Sequence, residues 1–327
     1  MIHLLSGAIA LIIVLLLMPG FIRFMKERGM IQPGYDLGPD KFKKREKPPN
    51  MGGLVIALAV VVTSLLLSQL SGSANLVMLL MLPSLGGLFI GFADDWIKDI
   101  KKHHEGLKPR YKLIGQAAVG LLFSAVCAEI LGTAIHLPFT KTTFDLQWTY
   151  YPLMTLLYVF MTNSANLQDG VDGLMASVSL CGSAALGAIA VIIDGGSVGD
   201  PGIGYACFAL AGACLGFLFF NQHPARIFMG DTGSMFIGGL LTGAAVLLRL
   251  QLWLIPLCVT MILSSLSVIA QRIYFKLTGG KRLIKMSPLH HHFEMSGWSE
   301  LKIARRYTLL VLAASLLAAL AAMSIAP

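Results

Sequence analysis

Apolar runs of about 20 residues, parted by short polar segments, recur along almost the whole chain, and each is long enough to cross a bilayer as a helix. Ten such spans are expected, at 3–22, 51–71, 75–92, 113–132, 151–166, 173–193, 203–220, 234–249, 253–276 and 306–325. Runs of this length favour helices over a barrel, because a helix satisfies every backbone polar group within its own segment. Pro19, Pro83 and Pro256 fall inside or near span ends, where neighbouring helices tolerate a kink. Between spans, the alternation Phe139-Thr140-Lys141-Thr142-Thr143-Phe144-Asp145 predicts a short hairpin within 133–150, and Gly195, Gly196, Gly199, Asp200, Pro201 and Gly202 predict a turn. The first run begins at Ile2, without a basic segment before it or a small-residue cleavage site after it, and reads as a retained span. The expected fold is all-α, a single polytopic membrane domain over 1–327 with ten transmembrane helices.

Composition strengthens this picture. The chain is 56% hydrophobic and only 13% charged, against about 25% charged in soluble domains. Its five cysteines (Cys127, Cys181, Cys207, Cys214, Cys258) all lie inside apolar runs, an odd count without paired spacing, which gives neither a disulfide framework nor a zinc site.

The net charge of +8 raises nucleic acid as a partner, but its distribution argues for a membrane. The segments after odd-numbered spans, with adjoining span ends, hold 23 of the 25 Lys and Arg residues, leaving Lys141 and Arg249 opposite. The basic side is therefore expected to be cytoplasmic, with both termini outside. Basic residues at that surface favour anionic headgroups and anionic substrates. Lys and Arg alone set this orientation, yet it also places Asp94, Asp95, Asp169, Asp172 and Asp231 together on the cytoplasmic side. Ionisable groups at span ends on one side argue against a secondary transporter, whose ion sites lie near the midplane.

Several polar constellations carry candidate chemistry. Asp94-Asp95 closes span three, with Lys98 one turn on; neighbouring helical side chains diverge by about 100°, so the pair does not readily share one metal ion. It reads either as a reactive carboxylate beside one held by lysine, or as a solvated helix end with Asp95 and Lys98 paired. Asn163, Asn166, Asp169 and Asp172 recur every three residues and are expected near one face of a helical turn or tight loop, with Gly170 and Gly173 allowing close backbone approach to a ligand. The alternative is capping of span six by Asp169 or Asp172. Asp231, in the glycine-rich turn Gly230-Asp231-Thr232-Gly233-Ser234, is a natural hard ligand for Mg²⁺ or a cap for span eight. Just before it, Phe228 offers a stacking face or a membrane anchor. His290-His291-His292-Phe293-Glu294 follows Lys281-Arg282-Leu283-Ile284-Lys285; without helical zinc spacing, it suits phosphate binding or proton transfer, or is a solvated loop. In the cluster Lys41 to Lys47, which precedes Met51-Gly52-Gly53, Lys47 is the expected substrate contact, and Tyr111-Lys112 plays a similar part at span four.

Taken in order, these segments resemble the polyprenyl-phosphate N-acetylhexosamine-1-phosphate transferase superfamily, over nearly the whole chain, from Met51-Gly52-Gly53 to His290-His291-His292-Phe293-Glu294. The uninterrupted histidine motif points to its peptidoglycan branch. The resemblance implies transfer of a sugar phosphate from UDP-N-acetylmuramoyl-pentapeptide to undecaprenyl phosphate, giving UMP and lipid I, with Mg²⁺, at the cytoplasmic face of a bacterial cell membrane. It implies that Asp231 holds Mg²⁺ and that Asp94 and Asp95 are the catalytic acidic pair. Lys112, Lys47 and Asn166 match polar active-site positions. Gly170, Asp172, Asn221 and Phe228 match a nucleoside pocket, and His290, His291 and His292 the phosphate side. The chain departs from the family pattern at Pro48-Pro49-Asn50 (Thr-Pro-Thr is usual), at Gln168 (usually Thr) and at His223 (usually aromatic). A sister enzyme using UDP-N-acetylglucosamine is the rival reading, and a homodimer is an open expectation.

Overall fold

The computed structural model describes residues 2–29, 48–73, 75–101, 106–137, 140, 142–192 and 201–323. The basic cluster 41–47 with Lys47, the hairpin residues Phe139 and Lys141, and the turn residues Gly195 to Asp200 lie outside them. Helices dominate: α1 (Ile2–Glu27), α2 (Gly53–Leu70), α3 (Asn75–Lys101), α4 (Pro109–Leu131), α5 (Tyr150–Gln168), α6 (Leu174–Ile192), α7 (Gly202–Asn221), α8 (Gly230–Leu247), α9 (Leu254–Leu257), α10 (Val259–Leu277), α11 (Leu289–Glu294) and α12 (Glu300–Met323). Two three-residue strands, β1 (Ala134–His136) and β2 (Thr143–Asp145), pair antiparallel with Ile135 opposite Phe144.

Seven described helices, α1 to α4, α6, α7 and α12, are long and apolar enough to cross a membrane. An eighth candidate is the pair α9–α10, expected as one span over 253–276 with a tolerated kink near Pro256; its halves meet at 88°, a break rather than a kink. The break falls at Cys258, whose backbone leaves the helical region (φ −119°, ψ 25°), two residues after Pro256. The helices α5 and α8 have 19 and 18 residues but are less apolar, because α5 ends in Asn163, Asn166 and Gln168 and α8 opens with Asp231, Thr232 and Ser234. These two helices carry the site.

Glycines let neighbours reach α8 from several directions. A Cβ on Gly53 of α2 would lie 2.1 Å from the Gly233 Cα, and one on Gly91 of α3 would lie 2.2 Å from the Asp231 carbonyl oxygen. On α8 itself, a Cβ on Gly238 would lie 2.8 Å from the Thr162 Cα of α5. Small residues at such crossings permit the backbone approach that holds helices together in lipid, where apolar burial offers little drive. All of α8 except Asp231 is buried.

Polar side chains add directionality. Gln116 of α4 donates to Thr162 Oγ1 (3.0 Å) and accepts from Asn163 Nδ2 (2.9 Å). Between α5 and α10, Ser164 and Ser265 share a hydrogen bond of 2.7 Å, and Gln168 accepts from Ser264 (2.6 Å) and donates to Thr260 (3.3 Å). The departure from the family pattern at Gln168 thus has a structural use, docking the end of α5 onto α10.

Candidate active site

The C-terminal turns of α3, the first turns of α4 and α8, and the end of α5 meet at one end of the bundle. Asp231 is their common partner. Its Oδ2 accepts from Lys112 Nζ (2.8 Å) and Lys98 Nζ (3.0 Å), and its Oδ1 from Asn166 Nδ2 (2.7 Å). Lys98 also pairs with Asp94 Oδ2 at 2.5 Å, whose other oxygen accepts the Leu107 N–H at 3.0 Å. Of the two readings of this pair, the geometry matches the one in which a lysine holds one carboxylate: Lys98 takes the i,i+4 partner Asp94 rather than Asp95, and the acids are buried, not a solvated helix end.

Asp95 has a separate environment. Its Oδ2 accepts both the Thr232 N–H (2.9 Å) and the Thr232 hydroxyl (2.7 Å), and its Oδ1 accepts from Asn50 Nδ2 (3.2 Å). A carboxylate at the N-terminus of α8 satisfies an orphan N–H and complements the helix dipole. So α3 continues through both acids, and its 100° step sends them to different partners.

One carboxylate oxygen from each of Asp94, Asp95 and Asp231 lies within 4.8 Å of the others. This all-oxygen set fits a hard divalent cation, which takes one or two carboxylates and keeps waters or phosphate oxygens. The lysine ammonium between Asp94 and Asp231 shows that a positive charge already suits that position. Asp95, buried and held by the backbone N–H and hydroxyl of Thr232 rather than by mobile lysines, is the least available ligand.

Around this cluster the three-residue series fans out rather than sharing a face. A step of three residues falls 60° short of a full turn, so Asn163 turns to Gln116, Asn166 to Asp231, and the helix ends at Gln168 before Asp169 and Asp172. Among the described residues no hydrogen bond joins the Asp169 carboxylate to α6; burial, with the Asp231 and Asp95 charges next, pushes its carboxyl up to about 8, with the Gly230 backbone opposing. Asp172 Oδ2 accepts the Ala225 N–H (3.0 Å) and faces His223 Nδ1 (3.0 Å), while the Asp172 N–H donates to Glu300 Oε2 (3.3 Å).

Asn221, expected at a nucleoside pocket, is buried and occupied on both sides: it accepts the Gly173 N–H (3.0 Å) and donates to the Ile227 carbonyl (2.9 Å). It shapes the 221–229 loop. Phe228 donates its N–H to the Pro49 carbonyl and accepts from Gly52, both at 2.9 Å, which joins that loop to the entry of α2.

The three histidines lie on the short helix α11, not in a loop. His290 is buried against Gly170, where a Cβ would come within 2.4 Å of its Nε2. Neither ring nitrogen of His290 finds a hydrogen-bond partner among the described residues, and burial, with His291 second, lowers its pKa to about 3. His291 Nδ1 meets Glu294 Oε2 at 3.0 Å, and His292 Nδ1 accepts the Lys285 N–H at 3.2 Å.

The structure thus gathers Asp94, Asp95, Asp231, Lys112 and Asn166, with Asp169 linked through Gly230, and sets Gly170 against His290 and His291. Asp172 and Asn221 belong to an adjoining cluster. Five residues of these networks, Lys98, Asn50, Thr232, His223 and Glu300, were not expected as site residues. Lys98 was legible from its i,i+4 spacing to Asp94. Asn50, Thr232 and Glu300 carry no local signal, since their partners are 45, 137 and 128 residues away.

Comparison with known proteins adds an independent finding. The model of glycosyl transferase family 4 matches residues 76–249. The chain is 41% identical over 302 residues (92% of this chain, 91% of the relative) to a phospho-N-acetylmuramoyl-pentapeptide-transferase of Halalkalibacterium halodurans. Proteins of the same description from Bacillus cytotoxicus and Bacillus thuringiensis are 39% identical with the same coverage.

Proposed function

The chain belongs to glycosyl transferase family 4, and from that premise we propose that it transfers phospho-N-acetylmuramoyl-pentapeptide from its UDP-activated donor to undecaprenyl phosphate, releasing UMP and forming lipid I. The setting is the cytoplasmic face of a bacterial cell membrane, crossed by ten spans with both termini outside. The observation that carries this reading is the pairing of Asp94 and Asp231 with two lysines at one end of an apolar helical bundle. Both substrates are phosphates, so the site must accommodate two anions that repel each other. In the chemical step an oxygen of the lipid phosphate attacks the sugar-bearing phosphorus. The bond from that phosphorus to the bridging oxygen breaks, and UMP leaves with the electron pair.

Asp231 would hold Mg²⁺, which when bound would neutralise diphosphate charge and stabilise the departing UMP. The remaining work falls to the chain. Lys112 and Lys98, freed from Asp231 as phosphates arrive, offset substrate charge, and Asn166 orients the Asp231 carboxylate. Asp94, with fewer donors than Asp95, takes the proton of the lipid phosphate or acts as a nucleophile. Asp95 keeps the N-terminus of α8 in place. Gly170 and Phe228 contribute the nucleoside pocket, Asp172 and Asn221 shape it, Lys47 contacts substrate, and His290, His291 and His292 flank the phosphates.

The reading is tested with purified protein, undecaprenyl phosphate, UDP-N-acetylmuramoyl-pentapeptide and Mg²⁺, following UMP release. Turnover is expected with this donor and not with UDP-N-acetylglucosamine; the reverse preference would overturn it. Exchange of labelled UMP into the donor without lipid, lost in Asp94→Asn, would select the covalent route over direct attack.

A further inference from the structure

A cavity of ≈530 Å³ lies between the end of α10 and the 278–288 loop, and none of the clustered carboxylates lines it. Its lining includes Arg272, Lys276, Arg282 and Lys285, together with Phe275 and Met286, and no acid. Among the described residues none of the four cations has a carboxylate partner: Arg282 and Lys285 reach only the main-chain carbonyls of Lys285 and Met295. The cavity is braced. Gln271 Oε1 accepts the N–H groups of Leu283 and Ile284, each at 3.0 Å, and this fixes the loop over the helix. Unneutralised, positioned cations around apolar walls select an anion with an organic body.

Helical phase decides which anion. Gln271 and Arg272 follow Ser264 and Ser265 by seven residues, so they share a face, and those serines point to Gln168 and Ser164 of α5. The exposed Leu266, Ile269, Ile273 and Leu277 take the opposite side of α10. The cavity therefore continues the side facing the site, not the apolar side suited to lipid. It also adjoins the histidine helix through the Lys285–His292 hydrogen bond (3.2 Å). The far end of that helix, His290, packs on Gly170, and a six-residue helix is about 9 Å long. In a muramoyl-pentapeptide the acyl group takes the amino end of the peptide, which leaves a free carboxylate at the other. An extended pentapeptide spans about 17 Å, enough to run from the phosphate side past α11 to this cavity.

We propose that this cavity binds the carboxyl-terminal end of the donor's peptide arm, with Arg272, Lys276, Arg282 and Lys285 pairing its carboxylate. The proposal rests on the transferase reading above, so donor binding is measured calorimetrically without lipid acceptor, on wild type, Arg272→Gln/Lys276→Gln and Arg282→Gln. Melting temperature serves as the folding control. UDP-N-acetylmuramoyl-pentapeptide is compared with the same donor carrying a C-terminal carboxamide. Each variant is expected to raise Kd for the free-acid donor by about tenfold or more, and to leave Kd for the amide unchanged and already weakened in wild type. Equal losses with both donors, or no loss with either, would overturn the proposal. Intact donor binding without UMP release in the complete reaction would count against the transferase reading alone.

Discussion

Asp94 and Asp95 are adjacent in sequence and differ in what they hold. Asp95 serves Thr232 and Asn50, both in other elements, whereas Asp94 shares Lys98 with Asp231. Asp95→Ala strands the Thr232 N–H and the Asn50 amide, and is expected to lower stability by about 1–3 kcal/mol along with activity. Asp94→Asn and Asp231→Asn are expected to lower kcat by about 10²-fold or more, roughly 2.7 kcal/mol of barrier, with the melting temperature little changed. UMP release and thermal melts in detergent, side by side, check both; equal melting losses in all three would refute the division. His290 gives a pH prediction. Its folded-state pKa is depressed from 6.5 to about 3, so below pH 6.5 the unfolded chain takes a proton that the folded chain refuses until about pH 3. Stability should fall as pH drops through that window and be unaffected by His290 above it. His290→Asn should flatten the acid-side slope of melting temperature, and an unchanged slope would argue against a buried neutral imidazole. The sequence made the chemical residue types legible, because carboxylates and lysines stand out in an apolar chain. Their division of labour was not legible, because it is set by residues such as Thr232 and Glu300 that ordinary surfaces also carry.

At the scale of elements, close approach to α8 is what builds the site. Gly91 has no room for a methyl group: its Cβ would meet the Asp231 carbonyl oxygen at 2.2 Å, and that atom is backbone, so α8 itself must move. Gly91→Ala is expected to cost about 1–3 kcal/mol through overpacking and to abolish most turnover by shifting Asp231. Gly20→Ala, with nothing within 4 Å of the new atom, should do neither and provides the control. Similar losses in both, or in neither, would show that the α3–α8 crossing does not position the carboxylate. Helix order was readable from the apolar runs alone, but the break in span nine was not. Pro19 and Pro83 sit inside helices that continue, α1 and α3, and nothing local marks Pro256 as different. What differs is the polar inner face of α10, whose Thr260, Ser264 and Ser265 are drawn to Gln168 and Ser164.

For the whole molecule, the distribution of Lys and Arg predicts the cytoplasmic side, and the geometry supplies a way to test it. Asp94, Lys112, Asn166 and Asp231 meet at one end of the bundle, while the β1–β2 pair connects to the opposite end of α8 through the His136 N–H and the Arg249 carbonyl. Ser299 precedes α12 beside the first end, and Thr140 lies in the β1–β2 connection. Four of the native cysteines are buried and Cys181 is half-buried, so a Cys181→Ser background gives little native labelling. In that background a membrane-impermeant maleimide should modify Ser299→Cys only in inverted vesicles and Thr140→Cys only in intact cells. The reversed result would put the carboxylates outside, where no cytoplasmic nucleotide donor reaches them, and would refute the proposed function together with the orientation. Labelling of both from one side would instead refute an odd number of crossings between Thr140 and Ser299. The expected spans 151–166, 173–193, 203–220, 234–249 and 253–276 require that number to be five. Given that α6 and α7 cross, as their length and apolarity lead us to expect, the same experiment therefore shows whether an odd number of α5, α8 and the bent α9–α10 pair, the elements least apolar or least straight, cross with them.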